Sequence, residues 1–134
     1  MFIRNTWYIA AEPGEIADAP IARTILETPV VIGRTAGGTT FALEDRCPHR
    51  FAPLSLGRVV GERLRCAYHG AEFDVAGRCV RVPGQDSVPA RAEVRSFPVT
   101  ERHGFVWIWM GDPALASNLD SIPDCLYRSD HPDW

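Results

Sequence analysis

Cys47-Pro48-His49 and, after an interval of sixteen residues, Cys66-Ala67-Tyr68-His69 each offer one thiol and one imidazole a few positions apart. Two loops of this kind can jointly supply two sulfur and two nitrogen ligands. The neighbouring residues suit such loops. Pro48 fixes a backbone dihedral between the first two donors, and Gly70 permits an unusual dihedral or a close backbone approach just after the last. Ala52-Pro53-Leu54-Ser55-Leu56-Gly57 is an apolar, punctuated stretch fit to wall off a metal centre and limit water access. Val82-Pro83-Gly84-Gln85 reads as a third covering loop or an ordinary turn. Tyr68 is placed either to send its hydroxyl toward the centre or to pack as a simple aromatic.

Two metal chemistries compete for this donor set. A tetrahedral zinc takes mixed Cys and His ligands, but the usual finger order puts both cysteines before both histidines, with wider histidine spacing. Alternating two-zinc sites need more ligands, and the remaining candidates, Cys79, Cys125, His103 and His131, are scattered. The interleaved order suits a [2Fe–2S] cluster in which two histidines replace two cysteines on one iron. Cys47 and Cys66 then bind one iron and His49 and His69 the other, so each loop touches both metals. Neutral imidazoles in place of thiolates remove negative charge and favour the reduced state. Such centres span roughly −150 to +300 mV, against about −400 mV for plant-type ferredoxins. A histidine bound through one ring nitrogen keeps its second N–H for a hydrogen-bonding partner or a proton.

Turn signals at short intervals separate strand candidates, which argues for an all-β fold. These are 6–10, 21–26, 30–34, 39–43, a hairpin of 59–60 with 63–65, then 71–73, 78–82, 94–100 and 105–110. The run Phe105-Val106-Trp107-Ile108-Trp109 lacks alternation and is expected to be buried on both faces. A chain of 134 residues, 46% hydrophobic, forms one core without disulfides, burying roughly two-thirds of its unfolded surface. No apolar run has membrane-spanning length and no signal-peptide pattern opens the chain, so a cytoplasmic protein without a membrane partner is expected. Unpaired thiols agree with a reducing compartment. Every basic residue is arginine, and the net charge of −3 gives no support for nucleic-acid binding. Between Asp45 and Cys66, five arginines (Arg46, Arg50, Arg58, Arg63, Arg65) face two acids, an excess that suits either an acidic redox partner or a solvated face. From Asp112 onward one arginine stands against five aspartates and three prolines interrupt the segment. Residues 112–134 therefore read as an acidic connector, with a helical turn near Ala114 to Ala116, following a domain of 1–111 whose cluster-binding part is about 44–86.

The pattern C-x-H, sixteen residues, C-x-x-H resembles the Rieske signature, and the likeness extends along almost the whole chain. FIRNTWYIAA (2–11), EDRCPHR (44–50), APLSLG (52–57), CAYHG (66–70), PGQ (83–85) and VWIWMGDP (106–113) resemble the N-terminal domain of Rieske non-haem iron oxygenases. Within these, the vanillate O-demethylase and toluenesulfonate methyl-monooxygenase group is most similar. Ala71 departs from the tryptophan that ring-hydroxylating dioxygenases tend to carry there, which favours the demethylase-like branch. The resemblance implies an antiparallel β-sandwich with a cluster-binding subdomain, and one [2Fe–2S] cluster per chain held by Cys47, His49, Cys66 and His69. Arg50, Tyr68, Gly70 and Pro83 are implied around it. It further implies a flavin or iron–sulfur reductase, or a ferredoxin, as electron donor. The implied acceptor is a mononuclear Fe(II) in a larger C-terminal catalytic domain, within a homotrimer where His49 or His69 meets an acidic residue of the neighbouring subunit. No facial-triad pattern stands in this chain, so it is expected to carry electrons for an aromatic-compound oxidoreductase without itself oxygenating. A free-standing Rieske ferredoxin is the alternative, and a zinc-bound interaction module a third.

Overall fold

The computed structural model describes residues 1–48, 51–88, 92–116 and 119–122. Its regular structure is eleven short strands and four single 3-10 turns among the described residues. The strands are β1 (Thr6–Ala11), β2 (Ile21–Ile25), β3 (Thr28–Arg34), β4 (Thr40–Glu44), β5 (Arg58–Val60), β6 (Arg63–Arg65), β7 (Glu72–Phe73), β8 (Cys79–Arg81), β9 (Ser96–Phe97), β10 (Val99–Arg102) and β11 (Phe105–Met110). They form three antiparallel sheets ordered β1-β11-β10, β2-β3-β4-β9 and β5-β6-β7-β8.

Side-chain alternation explains how the sheets stack. Successive residues of a strand point to opposite faces, so a strand between two apolar layers must be apolar at every position. In β3, Val30 and Ile32 enter a cluster with Ala42, Phe97, Val106, Ile108 and Met110, while Val31 turns the other way to join Phe41, Leu43, Leu64 and Phe73. The β2-β3-β4-β9 sheet is thus the middle layer, with a core on each side. The β1-β11-β10 sheet covers one face, and the small β5-β6-β7-β8 sheet covers the other. Strand β11 repeats the device. Val106, Ile108 and Met110 face the middle sheet, and Trp107 and Trp109 join Trp7 and Ile122 on the outer side. Trp7 pairs in register with Trp109, their rings edge to face at 5.4 Å. The unbroken apolar run is therefore buried on both faces, as its sequence predicts.

The strand expected over 94–100 is broken. Pro98 has no N–H to give to a ladder, and the chain divides there. Ser96–Phe97 pairs with β4, while Val99–Arg102 pairs with β11. The hairpin to β11 turns at His103 and Gly104, both with positive φ (55° and 76°), the geometry of a tight two-residue hairpin. The expected helical turn near Ala114 is a 3-10 turn, Pro113–Leu115, started by Asp112 accepting from the Ala114 amide. Most of the segment expected as a connector, like Cys125 and His131, lies outside the described residues.

The turn from β7 to β8 locks the small sheet onto the middle one. The Asp74 carboxylate accepts from the amides of Ala76 (3.0 Å) and Arg78 (2.9 Å), and the Val94 amide donates to the Gly77 carbonyl at 2.7 Å. Gly77 has φ +86°, and a Cβ there would overlap the Val94 carbonyl. Gly77→Ala is expected to destabilise the cluster-loaded chain by about 2–4 kcal/mol, from left-handed strain plus overpacking. Gly14→Ala, with open space around it, is expected to stay within about 0.5 kcal/mol. Urea unfolding midpoints of the two variants check the contrast.

Candidate metal centre

The two candidate ligand loops share one construction. The first leaves the end of β4 and the second leaves the end of β6. In each, the cysteine amide donates to the carbonyl five residues on: Cys47 to Ala52 at 2.8 Å and Cys66 to Ala71 at 2.8 Å. In each, the amide four residues on donates back to the cysteine carbonyl: Phe51 to Cys47 at 2.7 Å and Gly70 to Cys66 at 3.0 Å. That fourth position is left-handed in both, with φ 60° at Phe51 and 76° at Gly70. The loops are the same size, although the histidine stands two residues after the cysteine in one and three in the other.

Glycine adopts this conformation at little cost, so Gly70 was legible as a special position; Phe51 was not. A bulky residue with positive φ is a true outlier, held by its surroundings. The Arg46 guanidinium lies over the Phe51 ring, 4.0 Å from its centroid, and the two loop-closing bonds fix the backbone.

The donors divide by depth. Cys47 and Cys66 are each only 2% exposed and belong to one apolar cluster with Leu43, Leu54, Leu64, Ala71 and Phe73. Neither is in a disulfide. His69 is exposed, with the Tyr68 ring against its imidazole at 4.0 Å between centroids. Tyr68 is itself 59% exposed, so it packs on a ligand candidate rather than in the core. His49 and Arg50 lie outside the described residues. Among those described, no three Cys, His, Asp or Glu side chains surround a single ion position. A two-iron cluster of this kind takes two protein ligands per iron beside the bridging sulfides. Two buried thiols in an apolar cluster and an exposed imidazole fit that arrangement.

Covering loops hold the pair. The stretch 52–57 lies between the ligand loops. Asp45 accepts from the Ser55 amide at 2.7 Å and the Ser55 hydroxyl at 2.5 Å. At the far end, Gly57 packs so closely on β6 that a Cβ would overlap the Arg65 carbonyl, one residue before Cys66. Of its two leucines, Leu54 is fully buried, but Leu56 points outward at 72% exposure, so only half of the expected apolar wall faces inward. The Val82–Gln85 turn, closed by the Gln85 amide on the Val82 carbonyl at 3.1 Å, brings Pro83 to the position a Gly70 Cβ would approach, at 3.2 Å. It does abut the second ligand loop. Cys79 stands apart in β8. Its thiol donates to the Arg81 carbonyl, and burial pushes its pKa upward.

Sequence reasoning missed Asp45 and Glu72. Asp45 resembles any loop acid until Ser55 folds back onto it. Glu72 is buried, 4% exposed, beneath three arginines, a placement that only the strand register reveals.

The model of the Rieske [2Fe–2S] domain family matches residues 6–98, and the chain belongs to that family. It is 53% identical over 130 residues to the oxygenase component of dicamba O-demethylase from Stenotrophomonas maltophilia, covering 96% of this chain and 38% of that protein. It is 50% identical to an iron–sulfur subunit of the toluene-4-sulfonate monooxygenase system of Comamonas testosteroni, over 100% of this chain and 38% of the relative. The vanillate O-demethylase oxygenase subunit of Pseudomonas sp. strain HR199 is 43% identical, with 100% and 37% covered. A crystal structure of dicamba monooxygenase with dicamba bound superposes with a TM-score of 0.88 at 53% identity, over 92% of this chain and 37% of that one. The chain spans less than two-fifths of the length of these relatives. The family's group is a [2Fe–2S] cluster, and the all-β sandwich is its fold.

Asp45→Ala leaves a partly buried Ser55 amide without its acceptor. It is expected to cost about 1–3 kcal/mol and to speed cluster loss. Following the visible absorbance of the loaded chain during urea titration checks this, and a wild-type midpoint would contradict the role given to Asp45.

Proposed function

We propose that this chain is the electron-carrying domain of an aromatic Rieske oxygenase of the O-demethylase or methyl-monooxygenase kind. The observation that supports it best is the pair of identically closed loops, thiols inward and His69 outward. Cys47 and Cys66 would hold one iron, and His49 and His69 the other. When bound, the cluster supplies a one-electron couple at a potential suited to accepting from a reductase or ferredoxin.

The protein's own residues do the rest. The apolar side chains around Cys47 and Cys66 keep water from the sulfur side and hold both thiolates in place. The exposed imidazole of His69 is the contact point for an acceptor, and its unliganded nitrogen offers a hydrogen bond there. The acceptor is a mononuclear non-haem iron in a catalytic domain outside this chain, reached within a homotrimer. Residues 1–111 form the electron-carrying domain and 112–134 lead toward the catalytic one. Work in the cytoplasm is part of this proposal; among the described residues no helix is long and apolar enough to cross a membrane.

Cys66→Ser and His69→Ala are each expected to lose most of the iron and acid-labile sulfide together with the visible absorbance, since ligand bonds brace loops that have little regular structure. Cys79→Ser, outside both loops, is expected to keep them. Metal analysis and absorbance after anaerobic reconstitution decide, and a full cluster in either ligand variant would overturn the assignment.

A further inference from the structure

The small sheet carries a charge row that the cluster does not need. Residues directly opposed across strands share a face, and β5 to β8 place Arg58 opposite Arg65, Arg65 opposite Glu72, and Glu72 opposite Arg81. Arg63, two positions from Arg65, points to the same side. The inner face of the same strands is apolar, with Val59, Leu64, Phe73 and Cys79 in matching register. The outer face thus bears four arginines around one carboxylate. Glu72 lies 3.2 Å from Arg81, 3.7 Å from Arg65 and 4.0 Å from Arg63. It fixes these guanidinium groups but cannot neutralise them. Arg81 and Arg63 keep 60% and 47% of their side chains exposed. Arg58, also exposed, makes no ion pair among the described residues and faces Arg65, a like-charged opposition that costs stability.

This row borders the second ligand loop. Arg65 is followed directly by Cys66. One cleft is lined by Leu56, Arg58, Arg65, Cys66 and Gly70, and a second by Arg65, Gly70, Glu72, Arg81 and Pro83. Guanidinium groups therefore flank Gly70 on both sides, beside His69. The segment 58–81 holds five arginines and three acids, whereas the whole chain is at −3.

Building on the electron-carrying role above, we propose that Arg58, Arg63, Arg65 and Arg81, organised by Glu72, form the docking surface for an acidic electron-donor protein. Planar guanidinium forks bind carboxylates bidentately, and an anionic partner relieves the Arg58–Arg65 repulsion. Docking there sets the donor's redox centre against the Cys66 end of the second ligand loop, and His69 is left to the acceptor. A single electron then passes from the reduced donor to the oxidised cluster, with no bond made or broken.

The test is stopped-flow reduction of the cluster-loaded 134-residue chain by a reduced acidic plant-type [2Fe–2S] ferredoxin, with the cationic methyl viologen radical as comparator. The bimolecular rate with ferredoxin is expected to fall about tenfold or more between low salt and about 0.5 M salt. Arg58→Glu and Arg81→Gln are each expected to slow ferredoxin about tenfold at low salt, without slowing the viologen reaction or changing the reduction potential by enough to account for the loss. Arg58→Glu is the cleaner variant. It turns a repulsive cross-strand pair into an attractive one, so its thermal midpoint should stay level or rise while the donor rate falls. Salt-insensitive reduction, or ferredoxin rates within twofold of wild type in both variants, would overturn the surface alone. A wild-type chain that takes up no cluster would overturn the electron-carrying role and the surface with it.

Discussion

Backbone closure of the two ligand loops is the constraint on which the rest of the molecule depends. A cysteine whose amide and carbonyl are both committed within its own loop cannot swing, so its thiol must follow the direction the strand end gives it. Cys47 follows from β4 and Cys66 from β6, and both enter the same apolar pocket. The left-handed residue at the fourth position then turns the chain back, leaving the Cys66 loop's imidazole at the surface. In the Cys66 loop, depth is thereby sorted by backbone closure: sulfur inside, nitrogen outside. A buried sulfur side resists water and an exposed imidazole side meets a partner, the arrangement an electron carrier requires.

That closure works only because the scaffold is shared. The middle sheet is apolar on both faces, and its strand β4 both builds the core and delivers the first loop. The small sheet delivers the second, and its inner face packs on the same pocket that receives the thiols. Asp45 and Gly57 join the 52–57 stretch to the first loop and to β6 respectively, so neither ligand loop moves without the other. The charge row on the outer face adds nothing to this packing, and like charges placed opposite one another work against it.

Much of this was legible in the residues. The interleaved thiol and imidazole donors gave the cluster chemistry, and strand-length apolar runs between turn signals gave the all-β class. The 63–65 hairpin partner, the tight turn at His103-Gly104 and the doubly buried Phe105–Met110 run all appear where local pattern placed them. What was not legible came from long-range register. Pro98 splits one apparent strand between two sheets, a division no local window reveals. Phe51 holds a conformation its side chain disfavours because Arg46 and the loop bonds impose it. Leu56 looks like Leu54 in sequence, but the intervening 3-10 turn sends it outward. Glu72 gains its arginines from three different strands.

The most direct test of the account is nitrogen-sensitive electron–nuclear double resonance on the reduced, reconstituted chain grown with 15N-labelled histidine. Coupling of two distinct histidine 15N nuclei to the cluster spin, replaced by the 14N pattern in unlabelled material, is the predicted result. A paramagnetic cluster with no histidine nitrogen coupling at all would contradict it.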